Sequence, residues 1–280
     1  MMSSDNGDTV TTDEISAGWR ASLYLGLRRQ PGRTIVAERR HSGPLLIQRP
    51  FYPEGETCHV YLLHPPGGVV GGDRLGAEIR LEQDARALIT TPGATKFYRS
   101  AGETALLQQT FRLASGSCLE WLPQDTIVFP GAKAQVDTCF YLEENARLIA
   151  WETFCLGRPV MRERFASGEL KTRLRVLRNG ELTLHETLRI LDGDLDCIAG
   201  HALVGTMLMT PAGPETLEQA RALLASSAAP AGATLLGELL VVRMLAGDNR
   251  QMQSLQQTLW FGLRSAIVGM PPLPPRIWST

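Results

Sequence analysis

Five histidines, five cysteines and a scatter of carboxylates are the side chains here that could hold a metal ion or move a proton. Cys58, His59 and His64 lie closest together. On one extended strand Cys58 and His64 share a face about 20 Å apart, at ~3.3 Å per residue, and His59 points to the other face. One strand cannot wrap these three donors around an ion at bonding distances of about 2–2.3 Å. His41, His185 and His201 stand alone, and the HExxH and HxxEH spacings are absent. No permanent metal site is expected. A transient site that gathers His64, Asp73 and Glu120 from distant stretches stays open, beside a loop-orienting hydrogen bond for His64 and a loop-capping role for Asp73.

Two turn-rich stretches carry the other candidates. His64-Pro65-Pro66 runs into the pairs Gly67-Gly68 and Gly71-Gly72 and closes on Asp73; Thr91-Pro92-Gly93 leads into Lys96, Tyr98 and Arg99. Lys96, Tyr98 and Arg99 could act as an acid or clamp an anion, or form a partner-binding edge, which Tyr and Arg favour. The glycine pairs lack the GxGxxG or GK[ST] spacing, and no helix follows them to face a phosphate, so nucleotide binding is not expected. A GxSxG elbow is also missing. The cysteines are odd in number and show no CxxC pair, which fits buried thiols in a reducing cytoplasm.

The elements that must position these residues are mostly strands. Ala77, Ile79 and Leu81 alternate with Glu78, Arg80 and Glu82, and similar runs recur every 8–12 residues from Trp19 to Phe154 with turn residues between them. Asn179-Gly180 predicts a two-residue hairpin that pairs Arg178 with Glu181 and Leu177 with Leu182. Helices come late. Pro214 starts one; a second begins after Asp248, with Met252, Leu255, Leu259, Leu263 and Ala266 at helical spacing and Gly269 ending it. Thr234–Ala246 is apolar on every side and fits a buried strand or a buried helix. The expected fold is mainly β with a few C-terminal helices: a β-rich α+β, sandwich-like single domain of large multi-stranded sheets over 18–280. Residues 1–17 are expected as a disordered tail, and no internal repeat is visible.

The formal net charge is −1 and the basic residues are scattered, so no nucleic-acid footprint is expected. Apolar runs stay under about 18 residues, and residues 1–16 lack a signal-peptide layout, so no membrane span and a cytoplasmic location are expected.

Several phrases, in order, resemble the UreD family of urease accessory proteins, also called UreH. They are Gly43-Pro44-Leu45, the run Cys58–Asp73, the run Thr91–Ser100, Leu119–Gln124, Leu156-Gly157-Arg158 and Pro275–Trp278. In one departure, Pro159–Phe165 intervenes before Ser167-Gly168-Glu169, where many relatives pass directly to such a segment. The resemblance implies a mostly β protein with two helices that is not an enzyme. It would bind urease apoprotein together with UreF and the GTPase UreG, in a dimer of heterodimers with UreF, and help insert nickel. It also implies that Ni(II) passes transiently through an internal passage, with no permanent cofactor. In that setting His64, Asp73 and Glu120 are the expected transfer groups. Gly67, Gly68, Gly71 and Gly72, with Lys96, Tyr98 and Arg99, would shape loops or meet partners. The competing reading is a cytoplasmic β-rich enzyme that acts on an anionic small molecule through Lys96, Tyr98 and Arg99.

Overall fold

Alternating apolar residues make strands with one dry face, and the computed structural model, which describes residues 18–279, is built from them. The expectation for residues 1–17 lies outside the described residues. The strands are β1 (Arg20–Gln30), β2 (Arg33–Ser42), β3 (Leu46–Ile47), β4 (Cys58–Leu63), β5 (Arg74–Leu81), β6 (Arg86–Thr90), β7 (Thr95–Phe97), β8 (Ala105–Leu113) and β9 (Cys118–Leu122). They continue with β10 (Thr126–Val128), β11 (Lys133–Leu142), β12 (Arg147–Arg158), β13 (Glu163–Arg164), β14 (Glu169–Arg178), β15 (Glu181–Leu191), β16 (Leu203–Thr210), β17 (Ala231–Leu236) and β18 (Leu239–Ala246). Two α-helices, α1 (Pro214–Leu224) and α2 (Asn249–Val268), complete the fold.

The first sheet runs β15-β14-β11-β8-β5-β1-β2, and the second β17-β18-β16-β12-β9-β6-β4-β3. The chain coils between them, laying β4, β6, β9 and β12 in one and β5, β8, β11 and β14 in the other. Each turn of the coil adds a strand parallel to the last, so parallel neighbours form without crossover helices. Leu81, Leu113 and Leu142 stack across three turns, as do Phe97, Val128 and Leu156. This is a structural repeat of about thirty residues, of the kind solenoids use, and it corrects the expectation of none. The repeat conserves burial rather than identity. Leu88, Glu120 and Ile149 share one rung.

Two apolar layers follow from the parity of the second sheet. Ala87, Leu119, Leu148 and Ala150 face the first sheet, and Leu88, Leu122, Ile149 and Trp151 face the helices. The protein is thus sheet on sheet on helices, and both helices lie on the second sheet's side.

Local signals hold up well. Asn179 and Gly180 both take positive φ, and Leu177 pairs with Leu182 and Arg178 with Glu181. The Asp248 carboxylate accepts from Gln251 N at 2.9 Å and Gly269 closes α2 at φ 74°. Met252, Leu255, Leu259 and Leu263 are buried as expected; Ala266 is exposed, and Ile267 takes the next core position. The ambiguous Thr234–Ala246 resolves into the end of β17, a turn at Gly237 (φ 57°) and β18. Cys58, Cys118, Cys139 and Cys155 are buried free thiols, whereas Cys197 is exposed. The intervening Pro159–Phe165 forms a short turn, and β13 folds back on β12 with Arg158 paired to Glu163.

Candidate functional site: a loop mouth and two interior cavities

The two turn-rich stretches interlock. Val69 N donates to Lys96 O at 2.7 Å, and Tyr98 N donates back to Val69 O at 2.9 Å. Tyr98 OH donates to Gly67 O at 3.1 Å, and its ring lies 4.8 Å from that of Phe129. A Cβ on Gly68 would stand 2.4 Å from the Tyr98 ring, so that close approach requires glycine there. Asp73 is buried, and its carboxylate accepts Val70 N at 2.9 Å and Trp19 N at 2.8 Å. It caps the glycine loop and ties the start of β1 to it. The Arg99 stem packs against Gly131, and Lys96 lines the cavity below. Tyr98 holds the two loops together, whereas Lys96 lines the cavity and the Arg99 side chain is exposed beyond its packed stem.

His64 lines the same cavity. Burial lowers its imidazole pKa, and the charge of Asp73 opposes that shift. The structure therefore brings His64 and Asp73 into electrostatic contact.

It does not bring Glu120 to them. On β9, Trp121 faces the cavity and Glu120 faces the helices, so the second sheet stands between Glu120 and His64. Glu120 takes a hydrogen bond from Trp260 Nε1 at 2.7 Å and an ion pair from Arg264 at 2.7 Å. Arg264 also reaches Glu54 at 2.6 Å, and Glu54 lies 2.7 Å from His59 Nε2. All four charged or polar side chains are buried. Burial alone would lower the Arg264 pKa, but its bonds to Glu120 and Glu54 outweigh it and hold the guanidinium above its usual range. The same bonds, with His59, keep Glu54 ionised against its own burial. This network joins α2 to the second sheet and to the turn before β4.

Two cavities lie between the layers. The first, about 370 Å³, opens beneath the His64–Gly68 and Thr91–Lys96 loops and runs between Leu75, Leu107 and Val136 of the first sheet and Trp121 of the second. The second, about 450 Å³, extends toward β15, β18 and the Cys197 loop. Glu152 and Phe154 line both.

Glu152 is the residue that sequence reasoning missed. It stands on β12 with inward parity, between Ala150 and Phe154, and accepts a hydrogen bond from Thr138 Oγ1. Surrounded by protein, it keeps accessible surface by facing the cavities. Burial pushes its carboxyl up to about 7; the Thr138 bond works against this and the charge of Glu186 adds to it. Glu186, in the second cavity, pairs with Arg243 at 2.6 Å while its Oε2 is buried without a partner. Gln109 Oε1, in the first, is likewise unpartnered. A carboxylate in the apolar phase of Leu148, Ala150 and Phe154 was the available signal; what it faces depends on the coil. Among the described residues no three His, Cys, Asp or Glu side chains are set to hold a metal ion.

Residues 20–279 match the family described as UreD urease accessory protein. The chain belongs to the UreD family. It is 57% identical over 271 residues to the urease accessory protein UreD of Pseudomonas entomophila L48, covering 97% of this chain and 98% of that one. It is 55% identical to UreD of Pseudomonas putida W619 over 98% of this chain and 99% of that one. UreD of Klebsiella aerogenes is 48% identical, over 95% and 98%. The UreD family match spans every strand and helix described above, including the Pro159–Phe165 turn. No described helix is long and apolar enough to cross a membrane.

Proposed function

We propose that this UreD-family chain is a urease maturation factor that binds urease apoprotein together with UreF and the GTPase UreG. In this reading it is a scaffold rather than an enzyme, and its cargo, Ni(II), crosses its interior on the way to the urease active site. The observation that carries the route is Glu152, one carboxyl facing two cavities that together reach from the His64 loops to the Cys197 loop.

An ion in a protein interior needs groups that offset its lost hydration yet release it onward. A carboxyl that titrates near pH 7 suits this, because a proton competes with the cation and keeps affinity low. His64 at the first mouth and Glu186 in the second cavity supply further stations, and Asp73 stands behind His64 as the charge nearest it. Glu120, on the helix side of the second sheet and held by Arg264, anchors the scaffold in this scheme rather than meeting the ion.

Co-expression beside host apo-urease in nickel medium tests the reading, scoring urease activity and co-purification. Activity that requires this chain, with the chain recovered on apo-urease, supports it. Full activation without the chain, and no association, would sink it. The competing enzyme reading would need Lys96, Tyr98 and Arg99 to act together on one anion, whereas the Tyr98 hydroxyl is engaged with Gly67 O.

A further inference from the structure

Both helices pack on the second sheet, so among the described residues no helix covers the outer face of the first. Its charge is lopsided. The end row reads Arg20, Arg74, Leu106, Gln135, Lys171 and Arg189 across six adjacent strands. Rows beyond it add Arg40, Arg80, Arg112, Arg173 and Arg175. Against these stand Glu38, Glu78, Asp137 and Glu169, so cations outnumber anions more than two to one on a chain whose formal net charge is −1.

Several of these guanidiniums are held in place. Arg40 lies over the Tyr24 ring and Arg112 over the Tyr141 ring, each at 4.4 Å. Arg112 and Arg173 pair with Glu78 and Asp137, Arg40 pairs with Glu38, and Lys171 and Arg189 share Glu169, which leaves Arg20, Arg74, Arg80 and Arg175 without a carboxylate partner among the described residues. Nearly all the cations are arginine, whose planar fork suits carboxylates. At ~4.8 Å between strands and ~6.7 Å between rows the face covers roughly 600 Å², of the order of one partner's share of a stable protein interface. Arginine forks left without a carboxylate of their own suit a folded partner that presents carboxylates.

We infer that this arginine-rich sheet face is the docking surface for an acidic patch on urease apoprotein. This rests on the maturation reading above and adds to it which side of the chain meets the client. The helices, the loop mouth and the second cavity then remain clear for other partners and for the route.

The test passes the full-length chain over immobilised host apo-urease at increasing salt. Three proteins are compared: wild type, the face variant Arg20→Glu/Arg74→Glu/Arg80→Glu, and a control with equal charge change elsewhere, Arg162→Glu/Arg221→Glu/Arg250→Glu. All six arginines are exposed. Wild-type retention should fall as salt rises, the face variant should bind about tenfold or more weakly at low salt, and the control should match wild type. The neutral Arg74→Gln/Arg80→Gln variant should fall between, which guards against a misfolded triple variant. Equal retention of wild type and face variants overturns the inference and leaves the maturation reading standing. Equal loss in the control overturns it as a net-charge effect. No retention of wild type removes the reading and the inference together.

Discussion

Arg264 of α2 meets Glu120 of β9 at 2.7 Å with both side chains out of water, and the same guanidinium holds Glu54 at 2.6 Å. One helix residue thereby fixes a strand and a turn more than a hundred positions away. Removing one partner of such a pair strands a buried charge, whereas replacing both by apolar groups need not.

Glu120→Ala should therefore destabilise the protein by about 3–5 kcal/mol, and Glu54→Leu/Glu120→Leu/Arg264→Leu, which removes all three buried charges together, by clearly less. Urea unfolding of the three proteins reads this directly. Any urease-activation defect of Glu120→Ala should follow the lost fold. A fully stable Glu120→Ala chain that fails to activate would instead return Glu120 to the nickel route.

Glu152 predicts the reverse pattern, with stability intact and transfer impaired. Glu152→Gln keeps the shape and the Thr138 contact but cannot offer a carboxylate. Co-purification with apo-urease should be unchanged while nickel-dependent activation falls several-fold. Normal activation by Glu152→Gln would remove this residue from the route.

The same residue sets a pH dependence. Its carboxyl lies at about 7 when folded, against an ordinary value of 4.5, so between those values the folded state binds the extra proton. Its contribution is thus present at low pH and is lost as pH rises toward and through 7. Relative to Glu152→Gln, wild type should lose on the order of 1–3 kcal/mol between pH 5 and about 8. Parallel stability curves for the two proteins would contradict this.

Asp73 answers to two backbone N–H groups, and Asp73→Ala should cost roughly 2–4 kcal/mol through their loss. The decisive comparison is functional. Loss of complex formation marks Asp73 as the loop's cap, while intact assembly with lost activation marks it as a transfer group. Asp73→Asn keeps one of the two bonds but turns its NH2 toward the other N–H, so it should recover only part of the stability.

Gly68→Ala tests the loop interlock. Its new methyl would meet the Tyr98 ring and the Lys96 carbonyl, the latter 2.7 Å away. Overpacking of this kind costs about 1–3 kcal/mol. Gly67→Ala, where a Cβ meets nothing within 4 Å, should be nearly neutral in the same thermal melt.

The sequence by itself determined the local elements, because each rests on a short-range rule. The period-2 runs became strands, Asn179-Gly180 became the hairpin in its expected register, and Asp248 and Gly269 bounded α2. The glycine-rich phrases also carried the family resemblance, since backbone close approach at Gly68 admits no side chain. Tertiary structure decided which residues meet. The coil between two sheets stacks residues about thirty apart, and the repeat is invisible because it preserves burial while the chemistry changes from Leu88 to Glu120 to Ile149. Parity then sent Glu120 to the helix side and Glu152 to the cavities. Scattered arginines, unremarkable along the chain, gathered on one face because successive turns lay their strands side by side.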